Sequence, residues 1–395
     1  MVYWSLAMKS MLFKYWLIGP FLLLTLGITA WSWVLVDPNF TLVDHAEWTK
    51  FRAFTVSIGY FQRQWSANMY VILISLLTIT SYSVVRWYKG SVWPLLIAIG
   101  IIAGLFSYPA LSHDLFNYIF DARIVTHYHA NPYLYKPLDF PADSMLRFMH
   151  WVHRTYPYGP TYLFISLVPS FLGFGIFSFT FLLFKALHVV LFVISGWALS
   201  TMHKKAALIF ITSPLIIVEG LINSHNDFIA LAFGLFGLYL INNHKQWWTG
   251  SIMFLFSGLI KYFTLPIVLF SLAGKELFVG WRKPNRKHTI TLQTWHLVLV
   301  GLLTLLVYVM LRQEIQPWYF LNLFVLIPFI PSLFEKCTIF FTGLILSYYP
   351  YVLGGEWGQG GDVEFKRSII MYSFLLNVVF LLMDFAYQRF KLRRA

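Results

Sequence analysis

The sequence predicts an all-α polytopic membrane protein, a bundle of about 12 transmembrane helices built by residues 1–395 as one integral membrane domain. Two observations carry this. Of the 395 residues, 58% are hydrophobic, 20% aromatic and only 11% charged, with a mean hydropathy of +0.67; a soluble fold of this size cannot hide so much apolar side chain. Apolar runs also recur from end to end, several near the length of roughly 20 residues that crosses a bilayer, and the polar segments between them leave no room for a large soluble domain.

The runs fall near 11–36, 68–86, 91–110, 161–175, 177–199, 206–222, 226–242, 249–260, 262–274, 294–312, 317–332, 337–353 and 368–386. The first is too long for a secretory signal and lacks a small-x-small cleavage site, so it reads as a retained helix with Lys9 and Lys14 at its start. With the N-terminus cytoplasmic and 161–175 taken as a re-entrant segment, the basic groups Arg86/Lys89, Lys204/Lys205, Arg282/Lys283/Arg286/Lys287 and Arg389/Lys391/Arg393/Arg394 all face the cytoplasm, as the positive-inside tendency requires. Both termini are then cytoplasmic. The same topology gathers 37–67, 111–159, 223–227, 312–317 and 354–367 on the outer side. Runs 249–260 and 262–274 are too short to cross straight, which predicts broken helices lining a cavity.

The net charge of +13 is scattered over short loops. That distribution suits anionic lipid headgroups and excludes nucleic acid as a partner. The single cysteine, Cys337, excludes an internal disulfide. No phosphate-binding glycine loop, dinucleotide motif or nucleophile elbow is present, which argues against nucleotide-driven transport and nucleotide-sugar chemistry.

The chemistry-bearing segment is the loop 111–159, which opens Ser112-His-Asp-Leu-Phe-Asn-Tyr-Ile-Phe-Asp-Ala-Arg123. Ser112 can cap a helix, placing Asp114 in the first turn, where the dipole favours an ionised carboxylate able to accept a proton. Helical spacing aligns Asp114, Tyr118, Asp121 and Val125 on one side of a polar-faced helix at the membrane surface. Stabilising the helix start is the competing role for Asp114. The loop also holds His113, His127, His129, His150 and His153, but their spacing matches no closed zinc pattern, so no metal is expected. Lys261, inside an apolar run, implies a cavity, a partner or a snorkelling side chain.

The loop continues through Ala130-Asn-Pro-Tyr133 to Arg154-Thr-Tyr-Pro-Tyr-Gly-Pro160. This order of motifs resembles the first large extracytoplasmic loop of the GT-C superfamily, especially bacterial polyprenol-phosphate-mannose α-mannosyltransferases. Asn223-Ser-His-Asn-Asp227, Gly258-Leu-Ile-Lys261-Tyr with Pro266, and Gln316-Pro-Trp-Tyr319 extend the resemblance over residues 91–330. The loop follows the third apolar run instead of the first, so residues 1–90 read as an added N-terminal helix pair.

The resemblance implies a GT-C-like bundle whose outer loop carries interfacial helices. It implies an enzyme that moves a hexose, mannose favoured, from a polyprenyl-monophosphate carrier to a hydroxyl of a glycan, glycolipid or protein, with inversion and without cofactor. Asp114 is then the candidate base, with Asp121 as the second candidate. Arg123, Arg154, His225, Lys261 and Arg312 are candidate phosphate ligands. Tyr118, Asn131, Tyr133, Tyr156, Tyr158, Asn226, Asp227, Gln316, Trp318 and Tyr319 are candidate sugar or acceptor contacts; as membrane-interface aromatics or helix caps, many of these residues have an ordinary structural role as well. The alternative is a transporter or flippase for a lipid-linked glycan. The charges inside the runs, chiefly Lys185 and Lys261, are few for such a machine, and the acids gather in outer loops.

Overall fold

The computed structural model describes residues 2–272, 289–355 and 360–394, and among them every regular element is helical. The basic cluster Arg282/Lys283/Arg286/Lys287 and part of the glycine-rich loop 354–367 lie outside the described residues. In chain order the elements are α1 (Val2–Ser32), α2 (Ala46–Phe61), α3 (Arg63–Trp87), α4 (Trp93–Leu105), α5 (Asp114–Thr126), α6 (Pro160–Leu172), α7 (Phe177–Met202) and α8 (Lys204–Thr212). After a π-helical stretch, Ile216–Ile222, come α9 (Asn226–His244), α10 (Trp247–Ile260), a 3-10 helix Tyr262–Leu272 and α11 (Thr289–Arg312). A further 3-10 helix, Pro317–Leu326, and a short helix, Pro331–Lys336, precede α12 (Thr338–Gly354) and α13 (Gly360–Arg394).

Five helical stretches are long and apolar enough to cross a bilayer: Trp16–Leu35, Arg63–Trp87, Phe177–Met202, Trp295–Arg312 and Gly361–Lys391. The pair Lys204–Thr212 and Ile216–Ile222, bent by 66°, adds a sixth when taken as one broken span. The chain is thus an all-helical membrane protein; of the about 12 crossings expected from hydropathy, the described helices supply five of spanning length, or six with the broken pair. Six apolar helices, α4, α6, α10, the two longer 3-10 helices and α12, are shorter than a span. Their shortness has local causes. In α4 the last residues widen into a π-turn before the chain leaves the helix at Phe106, and α10 stops at Ile260 because Lys261 is extended, with φ −142° and ψ 118°.

Around the site the core is organised on α9, buried along nearly its whole length between α7, α10 and the 3-10 helix Pro317–Leu326. The α9–α10 crossing depends on two glycines. A Cβ on Gly237 would lie 2.9 Å from the Gly250 carbonyl oxygen and one on Gly250 equally close to that of Gly237, the small-residue contact that lets membrane helices approach.

Two long-range devices fix loop 111–159. Phe40, fully buried, reaches from the segment after α1 into a cluster of Trp48, Tyr108, Phe116, Phe148, Phe177 and Phe181. Lys185 of α7, also fully buried, donates to Ser107 Oγ (2.9 Å), the carbonyls of Leu221 (2.6 Å) and Ile222 (2.9 Å), and Ser224 Oγ (3.1 Å). It thereby satisfies the carbonyls left open where the π-stretch ends and holds Ser224, at a left-handed φ of 57°, in the turn that starts α9.

Candidate active site

Loop 111–159 leaves the bundle at Ser112 and returns at Pro160. Ser112 was the expected helix cap; the capping position is His113, and the Ser112 hydroxyl instead accepts from the Asp114 amide at 3.2 Å. Asp114 is in the first turn as expected. The helix itself differs from the surface helix the spacing suggested, since every residue from Leu115 to Ala122 is buried. Its Leu115, Phe116, Ile119 and Phe120 are apolar on faces that a water-exposed helix would leave polar, and they pack inward.

At the mouth of this arrangement is a cavity of about 760 Å³. Four segments converge on it: Ser112–Asp114, the stretch from His150 to Gly159, the α10 break at Ile260–Phe263, and the chain from Val309 to Tyr319. Of the candidate residues, Asp114, Arg154, Tyr158, Lys261, Gln316, Trp318 and Tyr319 line it. The broken helices expected from runs 249–260 and 262–274 do face a cavity, and Lys261 sits at their junction.

Asp114 is the carboxylate in position. Its side chain retains 14% exposure, and Oδ2 receives the Tyr118 hydroxyl at 3.4 Å. Asp121 lies deeper on the same helix, 4% exposed and outside the cavity lining. Burial pushes its carboxyl up to about 7; the Arg154 charge opposes this and the Asp114 charge adds to it.

Arg154 forms no ion pair among the described residues. Its guanidinium rests over the rings of Trp151 and Tyr158, 5.7 Å from each centroid, and donates to the Tyr158 hydroxyl at 3.5 Å. Lys261 is flanked by the rings of Tyr158 (5.8 Å) and Tyr319 (5.9 Å) and pairs with Asp227. The same ammonium donates to the side-chain oxygen Oδ1 of Asn226 at 3.5 Å.

The remaining candidates are elsewhere. Arg123 donates to Asp143 at 2.7 Å and borders a separate cavity of about 350 Å³ with Thr126 and Ser170. Arg312 lies over Tyr308, outside the lining. Asn131 and Tyr133 form an exposed turn, with the Tyr133 amide donating to Asn131 Oδ1 at 3.0 Å and its hydroxyl to the Tyr158 carbonyl at 3.2 Å. Tyr156, 4% exposed, donates to the Gly159 carbonyl at 3.1 Å and braces the loop where it returns to the bundle. His225, Asn226 and Asp227 are fully buried behind the cavity. No side-chain cap bond is made at the α9 start; Asp227 serves Lys261 and accepts from Asn322 at 2.9 Å. Gln316 accepts from Lys366 at 2.7 Å, and Tyr319 donates to Gln313 at 3.1 Å.

Asp37, His113 and His150 place potential metal-ligating atoms within 4.8 Å of one another. The two imidazoles, however, stack with centroids 3.8 Å apart and planes at 19°. Near-parallel planes so separated do not meet at bonding distance, so the two nitrogens do not aim at one ion. Burial and the neighbouring His150 push His113 down to about 4, which keeps it neutral.

Three groups at the site were not anticipated: Glu219, Asn322 and Lys366. Glu219 is fully buried, and its Oε2 lies 3.2 Å from His225 Nε2, while His225 Nδ1 lies 3.6 Å from Asp114 Oδ2. An acid within the apolar run 206–222 was itself the signal, of the same kind that singled out Lys261.

A family model described as alpha-(1->6)-mannopyranosyltransferase, N-terminal domain, of the MptA_B family, matches residues 18–274. The matched stretch takes in the second half of α1, the whole of α3 and of loop 111–159, and Lys261. No curated protein and no solved structure matches the chain. With the match spanning well over half its length, the chain belongs to the alpha-(1->6)-mannopyranosyltransferase family, as a mannose-transferring membrane glycosyltransferase.

Proposed function

We propose that the chain transfers mannose from a polyprenyl-monophosphate carrier to an acceptor hydroxyl at the extracytoplasmic face, with inversion at the anomeric carbon. One juxtaposition supports the reading most: a carboxylate, Asp114, and two cations, Arg154 and Lys261, border the same cavity of about 760 Å³. The volume suits a hexosyl phosphate with its acceptor.

In this mechanism Asp114 takes the proton from the acceptor hydroxyl as its oxygen forms a bond to the anomeric carbon. The bond from that carbon to the phosphate oxygen breaks, and its electron pair leaves with the lipid phosphate. General-base help of this kind contributes about 10²–10⁴ in rate. Arg154, which forms no ion pair among the described residues, is the principal cation for the departing phosphate, and Lys261 adds a second charge beside it. A monophosphate neutralised by two fixed cations needs no metal ion or other cofactor. Trp318, Tyr158 and Tyr319 offer planes on which sugar rings pack.

In the same reading the short apolar helices complete about a dozen membrane segments, α6 re-enters from the outer side, and both termini are cytoplasmic. At 13 residues α6 spans only about 20 Å, and the basic pairs Arg86/Lys89 and Lys204/Lys205 then fall inside. The acceptor is a glycan, a glycolipid or a protein hydroxyl.

The test is to incubate the purified protein with polyprenyl-phosphate mannose and an acceptor panel, measuring release of polyprenyl phosphate and formation of the glycosidic bond. Asp114→Asn is expected to lose transfer while keeping its unfolding temperature. Wild-type turnover by that variant removes Asp114 from the mechanism, and mannose consumption only from a nucleotide donor overturns the carrier.

A further inference from the structure

The sealed side of the site holds a carboxylate that the transfer step leaves unused. Glu219 lies in the π-helical stretch Ile216–Ile222, inside the bundle and fully buried. An acid at that depth is costly and is kept where it has partners and work. Its Oε2 accepts from Asn223 at 2.9 Å and faces His225 Nε2 at 3.2 Å; the other ring nitrogen faces Asp114 Oδ2 at 3.6 Å. The Trp318 indole covers one face of the imidazole, with centroids 4.2 Å apart and planes at 24°. The ring is thus held between two carboxylates, one closed off in the bundle and one open to the cavity. Neither contact has in-line hydrogen-bond geometry, and contacts between catalytic groups commonly tighten only when substrate is bound.

The support beneath it is equally specific. Lys185 pins the Leu221 and Ile222 carbonyls and Ser224 Oγ, so the turn that joins Glu219 to His225 is fastened from below. The His225 amide also donates to the Glu219 carbonyl at 3.0 Å, closing the turn on itself.

We propose that Glu219 is a positioning residue for mannosyl transfer, holding the His225 imidazole against Asp114 so that this carboxylate stays aimed at the acceptor hydroxyl. The inference rests on Asp114 as the base. It follows the general logic in which a base is oriented by a second group and that group by a third.

Glu219→Gln keeps the shape and an oxygen that can accept from Asn223, removes the charge and turns the other carboxylate oxygen into an amide donor. Its kcat is expected to fall roughly 10- to 100-fold, within the range that the coupling of neighbouring residues spans, with the donor KM unchanged. His225→Gln is expected to lose a similar factor, and the double variant to lose no more than His225→Gln alone. Losses that multiply, or a change confined to KM, overturn the proposal. Glu219→Asp supplies a second arm that keeps the charge but withdraws it by one methylene; it is expected to lower kcat at constant KM, and unchanged kcat there also counts against the proposal. Asp114→Asn run in parallel separates the two readings. Full turnover in Asp114→Asn removes the base itself, whereas loss there with full kcat in Glu219→Gln removes only the role of Glu219.

Discussion

Lys261 and Asp227 pair across the break of α10 and the first turn of α9, with the Asn322 amide donating to the second Asp227 oxygen at 2.9 Å. The carboxylate is 1% exposed and the ammonium 20%. One partner is therefore sealed in the bundle, while the other borders the cavity where a phosphate is expected. The pair fixes the cation in place and leaves its outer side open.

Removing only the lysine strands a buried charge. Lys261→Met is expected to destabilise the protein by about 3–5 kcal/mol, seen as a lower unfolding temperature in detergent, and to raise the donor KM. Adding Asp227→Asn is expected to recover most of the stability and none of the donor affinity. Recovery of both together would show that Lys261 serves the fold alone.

Arg154 and Arg123 separate a cavity cation from a structural one. Arg154 rests on aromatic planes and a tyrosine hydroxyl and forms no ion pair among the described residues, so Arg154→Gln is expected to raise the donor KM by about tenfold, the loss of a charge-assisted contact. Arg123 is committed to Asp143 and to the Tyr128 ring; Arg123→Gln is expected to lower stability and leave KM alone. Steady-state kinetics on the two variants decide it, and equal KM for wild type and Arg154→Gln would remove Arg154 from the phosphate site.

What could be read in the sequence was whatever depends on local composition. The long apolar helices follow from hydropathy, and the α10 break follows from two runs too short to cross, with Lys261 between them. Asp114 stands in a first turn because a polar segment follows an apolar run. The pairing of His225 with Asp114 joins positions far apart in the chain and leaves no local trace. Phe40 likewise reads as an ordinary loop residue until the cluster with Phe116, Phe148 and Phe181 is seen. Glu219 was legible in principle, but one acid does little to the hydropathy of run 206–222 and was absorbed into it. The π and 3-10 geometries that shorten the helices come from shifted backbone hydrogen bonds, to which a hydropathy pattern is blind.

Gly159 marks the point where loop 111–159 rejoins the bundle. Its amide donates to the Ile260 carbonyl at 3.3 Å, and a Cβ there would lie 1.7 Å from the Leu259 carbonyl oxygen and 2.6 Å from its carbon. Backbone cannot yield as a flexible side chain can. Gly159→Ala is expected to cost more than roughly 2 kcal/mol and to displace Tyr158 and Lys261 from the cavity, so activity falls with stability. Gly361→Ala, where no atom of the described residues lies within 4 Å, is the control and is expected to be neutral. A Gly159→Ala protein with wild-type unfolding and turnover would contradict the tight loop-to-α10 contact.

The side of the membrane on which the cavity opens is testable at Asn131, exposed in the outer turn of the loop. In a Cys337→Ser background, Asn131→Cys is expected to react with an impermeant thiol reagent added to intact cells. Labelling that requires permeabilisation would invert the proposed topology.

Asp121 gives the protein a pH dependence whose sign follows from its burial. Its carboxyl is pushed from 3.8 up to about 7 in the folded chain, whereas an unfolded chain ionises it near the ordinary value. Between those two pH values the folded protein holds the extra proton, so stability falls as pH rises from about 4 to about 7 and levels off above. Asp121→Asn removes the group that must charge. The variant is expected to match wild type near pH 4 and to be the more stable protein above pH 7, by at most about 4 kcal/mol from a shift of this size. Because Asp121 does not line the cavity, the variant is also expected to retain the wild-type donor KM. Unfolding temperatures of both proteins across pH 4 to 8 test the point, and an advantage for Asp121→Asn that does not grow with pH would mean that the buried carboxyl is charged throughout.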